Sequence, residues 1–481
     1  MTTFSRQTFL RGAVSALATS GVFGAVRAAA DPSGGLATGW ESLASSIGGR
    51  VLVPSSGSSF STGKQVFNAL YNGSNPAAVV AVTSQQDVQK AVSFAVANKL
   101  KIAPRGGGHS YIGASTAGGT MVLDLRGLAG GVSFDQGSGN VTVPAATDLY
   151  AIHQALAGAG RAIPTGTCPT VGVAGLTLGG GMGADSRHAG LACDALRSAT
   201  VVLPSGDVVT ASANDNPDLF WALRGGGGGS FGVTTSMTFA TFATADSDVV
   251  RVSFPPAAAA HVLSGWQSWL SAADRNTWGL VDLSVGPNQG DCHILATCPG
   301  GSGPGVTDAI KSAVGLQPSG IENKTLSHMN LVTYLAGGSS TSSPRAFVAG
   351  SDVIGTVNAA AAQAIVAAIG KWPPAAGRAS VIVDTLGGAV GDVDPAATAF
   401  PWRKQTAVAQ WYVEISGQTS TATQWLSAAH QAVQPYSVGG YVNYLEANTS
   451  PARYFGSNLS RLTAVRQKYD PNGIMFSGLS F

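Results

Sequence analysis

Charge is scarce in this chain: only 11% of its 481 residues are Asp, Glu, Lys or Arg, and 27 basic against 25 acidic side chains give a formal net charge of +2. The lysines and arginines are scattered rather than clustered, so neither a nucleic-acid footprint nor a polybasic membrane patch is present, and the expected partner is a small molecule. Cysteine is scarcer still. Four cysteines, with no Cys-x-x-Cys and no His-x-x-x-His spacing, exclude the disulfide framework of a small secreted domain and argue against a metal site. Cys292-His-Ile-Leu-Ala-Thr-Cys298 reads as a strand whose ends lie roughly 20 Å apart, too far for a local bridge that needs Cα atoms within about 7 Å. Cys193 reads as a core residue.

Long apolar runs are missing apart from one. Gly12 to Val26 follows Arg6 and Arg11 and precedes Ala28-Ala29-Ala30, the pattern of an export signal over residues 1–30, too short for a membrane span. Ser5-Arg-Gln-Thr-Phe-Leu-Arg11 resembles a twin-arginine signal with Gln7 in place of the second arginine. Removing residues 1–30 takes away three arginines and no acid, so the exported protein is expected to be nearly neutral, and no membrane association is expected once the signal is cleaved.

What the chain has in quantity is glycine, 64 residues, within a composition that is 44% hydrophobic and punctuated by turn signals. That combination describes a folded protein of many short elements, long enough for more than one compact unit. Ala77–Val82 reads as a strand, Ser84-Gln-Gln-Asp87 as a capping box, and Val88, Val92, Ala95 and Val96 as one face of a helix ending at Asn98. Met121–Leu125 and Val141–Val143 read as strands, Asp148–Ala159 as a helix closing on Gly160, Ala199–Thr210 as a hairpin and Val233–Phe242 as a strand. From about 245 to 438 helices are expected near His261–Ala273, Val357–Ile369 and Thr421–Val433, with strands near Leu280–Val285, Ser380–Val383 and Ala407–Ile415. The divisions expected are 31–245, 246–438 and a segment 439–481 that rejoins the first unit.

Two glycine-dense loops carry chemistry: Arg105-Gly-Gly-Gly-His-Ser-Tyr111 and Pro164-Thr-Gly-Thr-Cys-Pro-Thr-Val-Gly172. Stretches without side chains let backbone N–H groups close on a pyrophosphate, and His109 and Cys168 are nucleophiles able to capture a bound flavin ring. Gly225–Gly229 contains a dinucleotide-binding glycine pattern, but it falls between a helical and a β segment, the reverse of the fingerprint, and is expected as a loop near the cofactor. Gly228-Gly-Ser-Phe-Gly232 likewise matches the serine-hydrolase elbow, with Asp392 and His430 in order, but in the wrong context; a secreted hydrolase is the remote alternative.

These loops, with Leu178-Gly-Gly-Gly-Met-Gly183, Arg187–Asp194 and a C-terminal Tyr441-Val-Asn-Tyr444, Tyr454-Phe-Gly456, Tyr469-Asp-Pro471 set, resemble the berberine-bridge-enzyme-like flavoprotein oxidases of the vanillyl-alcohol-oxidase superfamily. The resemblance spans nearly the whole chain after residue 30. It implies an α+β fold: a PCMH-type FAD-binding domain of two subdomains, and a substrate domain with a large antiparallel sheet flanked by helices. It further implies FAD bonded through its 8α-methyl to His109 and through ring carbon C6 to Cys168. Around these, Arg105, Gly106, Gly107, Gly108 and Ser110, then Thr167, Val171, Gly172 and Gly175, then Gly179, Gly180 and Gly183, and finally Gly232, Val233 and Asn443 are expected on the cofactor side.

A hydride leaving a substrate carbon for flavin N5 needs a base for the hydroxyl proton, and tyrosine can serve if its phenol, near about 10 when free, is perturbed. Read as a strand, Tyr441 and Asn443 share a face and Tyr444 points away; that alternation favours Tyr441 as the base, with Tyr444 the other candidate and Tyr111 lining the pocket. Gln410, where relatives carry an acid or amide, is expected to position the substrate. Val171 matches a position where valine admits oxygen. The expected protein is an exported oxidase converting an alcohol, sugar hemiacetal or natural-product hydroxyl to the carbonyl and O2 to H2O2. A flavin dehydrogenase using another acceptor is the alternative, and a non-catalytic flavin-binding protein a more distant one.

Overall fold

A computed structural model describes residues 36–481 except 289, 416 and 418, so the segment expected to be an export signal lies outside the described residues. The strand Ala78–Ala81 and the helix Gln85–Ala97 form as the sequence predicts. Ser84 Oγ accepts from Asp87 N–H at 3.1 Å, satisfying one orphan donor of the first turn. The reciprocal half of the capping box does not form. The Asp87 carboxylate turns to the N–H groups of Gly48 and Thr83 instead, tying the entry of the helix to the preceding segment.

Two sheets make up the first half. Arg50–Leu52, Ala78–Ala81, Met121–Asp124 and Ile102–Arg105 lie in that spatial order, the last three mutually parallel. Ser133–Asp135, Asn140–Pro144, Val233–Ala240, Leu196–Val202 and Val208–Ser212 form an antiparallel sheet that includes the expected hairpin. Both sheets feed one core, in which Val80, Val92, Leu123, Val143, Val201 and Met237 are fully buried.

A single eight-stranded antiparallel sheet dominates the second half. Its order is Gly320–Leu326, Ser247–Ser253, Asp291–Pro299, Trp278–Val285, Ala379–Thr385, Ala407–Glu414, Phe347–Ile354 and Ser437–Gly439. Strand alternation divides it into two faces. Val281, Leu283, Ile294, Val381, Val383, Ala409 and Trp411 pack beneath the helices Ala259–Ala272, Ala359–Gly370 and Thr419–Val433. Cys292 and Cys298 sit in this core as free thiols, as the strand geometry requires. The opposite face turns toward the first half. Among the described residues no helix is long and apolar enough to cross a membrane.

The C-terminal segment returns to the first half. Ile102 N–H donates to Ile474 O and Phe476 N–H to Ile102 O, extending the parallel sheet. The segment leaves the large sheet through a buried charge cluster. Asp352, fully buried, accepts from Trp411 Nε1, Ser437 Oγ and Arg453, and lies 2.7 Å from His430 Nδ1; His430 Nε2 lies 2.7 Å from Glu446. The two carboxylates lift the His430 pKa to about 9 against the opposing effect of burial.

A histidine whose folded pKa exceeds its unfolded value stabilises fully below about 6.5, and that contribution fades as pH rises toward 9. We expect the melting temperature to fall between pH 6.5 and 9 by the equivalent of about 2 kcal/mol, and the fall to be much shallower in His430→Ala. Parallel pH–melting curves for the two proteins check this.

Candidate active site

Two loops from distant parts of the chain cross at a point where neither tolerates a side chain. A Cβ on Gly107 would stand 2.3 Å from Gly172 N, and one on Gly172 would stand 2.3 Å from Gly107 N. The first loop is launched by Arg105, whose fully buried guanidinium pairs with Asp124 at 2.7 Å and donates to Gly63 O. The second is held by Leu149 N–H and Tyr150 N–H, which donate to Val171 O and Pro169 O at 3.0 and 3.1 Å from the start of helix Leu149–Ala157. The crossing turns His109 and Cys168 into the same cavity. His109 stacks on Phe67 with ring centroids 4.0 Å apart, and burial pulls its pKa down to about 4, so its imidazole is neutral at ordinary pH.

The cavity holds about 450 Å³ and lies between the two halves. On one side it is walled by backbone: Gly106, Gly107, Gly108, Gly172, Gly175 and the Gly227–Gly229 run all line it. A Cβ on Gly175 would meet no protein atom within 4 Å, and one on Gly228 only Gly175 Cα at 3.8 Å. What glycine preserves there is the cavity itself, a cradle fitting a group that lies flat against bare backbone, as a dinucleotide does. The other side is the polar face of the large sheet, with Asp282, Ser380, Ile382, Asp384, Gln410 and Tyr412.

His109, Cys168, Ser110, Tyr111, Thr167, Val171, Gly183, Gly232, Gln410, Tyr441, Asn443 and Tyr444 also line this space. Four residues expected at the cofactor stand behind the wall. Arg105 pairs with Asp124 through Nη2 outside the cavity lining, its Nε and Nη1 buried without a partner; Gly179 gives way to Asn443, whose Oδ1 would be 2.0 Å from a Cβ; Gly180, at φ +121°, abuts Phe400; and Val233 is in the sheet core. The hydrolase alternative fails geometrically. Ser230 is buried, Asp392 pairs with Arg275 at the surface, and His430 belongs to the Asp352 cluster.

The tyrosine geometry also departs from the sequence reading. Val442–Tyr444 is a turn of 3₁₀ helix, so strand alternation does not apply. Tyr441 is 1% exposed and its oxygen accepts three bonds, from Gly181 N–H at 2.8 Å, Met182 N–H at 3.3 Å and Asn443 Nδ2 at 2.8 Å. Burial nonetheless pushes its phenol above the ordinary value. Tyr444 stacks on Tyr111 with centroids 5.1 Å apart, and Gln410 Nε2 donates to the Tyr111 hydroxyl. Asn443 Nδ2 donates in addition to Leu176 O at 2.8 Å, which fixes its amide orientation.

Several cavity residues escaped sequence reasoning. Asp282 Oδ1 and Ser380 Oγ are buried without a hydrogen-bond partner, and the alternation of Trp278–Val285 and Ala379–Thr385 could have shown them as polar positions of otherwise apolar strands. Phe67, Ser342 and Arg345 line the cavity from irregular segments that carry no such signal.

Comparison with known proteins agrees with this geometry. Residues 76–212 match the FAD binding domain family, and residues 440–475 the family described as berberine and berberine like. The chain is 29% identical over 414 residues to the uncharacterized FAD-linked oxidoreductase YgaK of Bacillus subtilis, covering 83% of this chain and 89% of that one. Among solved structures, Physcomitrella patens BBE-like 1 superposes with a TM-score of 0.83 at 27% identity, covering 91% and 97% of the two chains. A glucooligosaccharide oxidase of Acremonium strictum, described as having a novel flavinylation, superposes with a TM-score of 0.82 at 25% identity and the same coverage. The chain is thus similar over most of its length to the berberine-bridge-enzyme-like FAD-linked oxidoreductases, with an FAD binding domain match and the same α+β fold.

Because the crossing point has no room for a methyl group, Gly107→Ala is expected to separate the two loops. At equal folded content by circular dichroism, the purified variant should carry less than a tenth of the wild-type flavin absorbance.

Proposed function

We propose that the protein is an exported FAD-dependent oxidase whose flavin is bonded to His109 and to Cys168, and which oxidises an alcohol or hemiacetal carbon of a polyhydroxylated substrate, with O2 as acceptor and H2O2 as product. The observation that carries the proposal is the glycine crossing, which brings a neutral imidazole and a thiol to one wall of a cavity whose opposite wall is polar. Bound FAD supplies a hydride acceptor at N5 and a route for the two electrons to oxygen.

The chain's own residues account for the rest of the reaction. Tyr441 is already committed, because its oxygen accepts three N–H groups and has no lone pair left for a substrate proton. Its role is to fasten the 441–444 turn to the backbone at Gly181 and Met182. That assigns proton removal to Tyr444. Gln410, an amide that takes no proton at neutral pH, holds the Tyr111 hydroxyl and so sets the stacked phenol pair. Asp282 and Ser380, buried with unmet hydrogen-bonding capacity, suit a ligand that brings hydroxyl groups, in keeping with a carbohydrate. Val171 lines the cavity on the same loop as Cys168, and a side chain of its size suits the access of oxygen.

Acid precipitation of the purified protein tests the attachment. Yellow colour should stay with the pellet, weaken in His109→Ala or Cys168→Ala, and vanish in the double variant; colour released wholly to the supernatant refutes two-bond attachment. Tyr444→Phe should keep its flavin and lose about 100-fold or more in kcat, whereas Tyr441→Phe should mainly lower the melting temperature. Anaerobic bleaching by substrate followed by air separates the acceptors, since a flavin that stays bleached excludes oxygen.

A further inference from the structure

Between the two attachment residues runs an unbroken line of side-chain hydroxyls. Cys168 Sγ lies 3.4 Å from Ser342 Oγ, Ser342 Oγ is hydrogen-bonded to Thr170 Oγ1, and Thr170 Oγ1 lies 3.0 Å from His109 Nε2. Thr170 comes from the attachment loop itself. Ser342 comes from the segment after helix His328–Leu335, 174 residues beyond Cys168 in sequence. All four side chains line the cavity or bond to one that does.

We propose that Thr170 and Ser342 are positioning residues for flavin attachment, forming a two-hydroxyl relay that carries the Cys168 thiol proton to His109 Nε2 as the sulfur–C6 bond forms. The inference rests on the two-bond reading above. A thiol is a poor nucleophile and must surrender its proton first. Each hydroxyl both donates and accepts, so one consistent direction exists when the thiol is intact: S–H to Ser342, Ser342 to Thr170, Thr170 to the imidazole. Shifting each proton by one place gives the thiolate at one end and a protonated Nε2 at the other, with no charge left on either hydroxyl. Burial keeps the imidazole neutral and ready to accept. With Nε2 at the end of the relay, Nδ1 is the nitrogen left for the 8α bond, so one ring can serve both purposes.

The step balances with dioxygen as oxidant. The S–H and C6–H bonds are lost, an S–C6 bond forms, and the two electrons and two protons leave as H2O2. The relay handles only the thiol proton, which His109 Nε2 then releases as one of the two protons that leave in H2O2.

The test is the linkage state of FAD in purified full-length protein, read by mass spectrometry of the flavin-bearing peptides after digestion. Wild type should carry flavin joined to both the His109 and the Cys168 peptides. Ser342→Ala and Thr170→Val should keep the His109 bond and show at least a tenfold lower fraction with the Cys168 bond. Ser342→Thr and Thr170→Ser, which retain the hydroxyls, should restore it. Where Ser342→Ala does not fold, the Thr170→Val and Thr170→Ser pair decides alone. Complete double attachment in Ser342→Ala or Thr170→Val overturns the relay, as does failure of the hydroxyl-bearing variants to restore the second bond. Wild type lacking the Cys168 bond overturns the two-bond reading instead, so the two failures are distinguishable.

Discussion

The site depends on one contact, the meeting of Gly107 and Gly172. Close packing of two backbones is available only to residues without a Cβ, and here it sets the spacing of everything beyond it. His109 lies two residues past the crossing on one loop, and Cys168 four residues before it on the other. Each loop is separately braced, by the buried Arg105–Asp124 pair and by amides at the start of helix Leu149–Ala157. The nucleophiles therefore inherit their positions from rigid elements, as a preorganised site requires.

The second constraint is electrostatic. Asp352, Glu446, His430 and Arg453 gather two carboxylates and two cations in a place where an unpaired charge would be costly. They come from three parts of the chain: Asp352 from strand Phe347–Ile354, His430 from helix Thr419–Val433, and Glu446 and Arg453 from the C-terminal segment. Ser351, the neighbour of Asp352, accepts from Tyr441 N–H at 2.9 Å. The cluster thereby fixes where the chain leaves the large sheet and enters the 441–444 turn. Gly350 belongs to the same fit, since a Cβ there would stand 2.3 Å from the Glu446 carboxyl carbon.

Much of this was legible in the sequence, for local reasons. The helix after Ser84 and the strands at 121–124 and 407–414 follow their apolar periods, and the change of sheet near residue 245 coincides with the shift in texture. The loops that carry His109 and Cys168 stood out because glycine is so concentrated there. What stayed hidden depends on long-range packing. The Tyr441 turn forms because its hydroxyl is captured by backbone 260 residues away, a contact that no period reveals. Arg105 pairs with Asp124 behind the cavity wall, and Ser342 reaches the site from an irregular segment with no pattern of its own. Asp282 and Ser380 were readable in principle, as polar positions in buried strands.

The cavity wall begins at Phe67 and ends at Leu479, and residues 474–476 extend the sheet that launches the first glycine loop. Its walls thus draw on nearly the whole described sequence. A nascent chain emerging from the ribosome has no cofactor pocket until its final stretch is synthesised, so flavin loading is a late event in biogenesis, and a protein that leaves the cell already folded would have to be loaded before export.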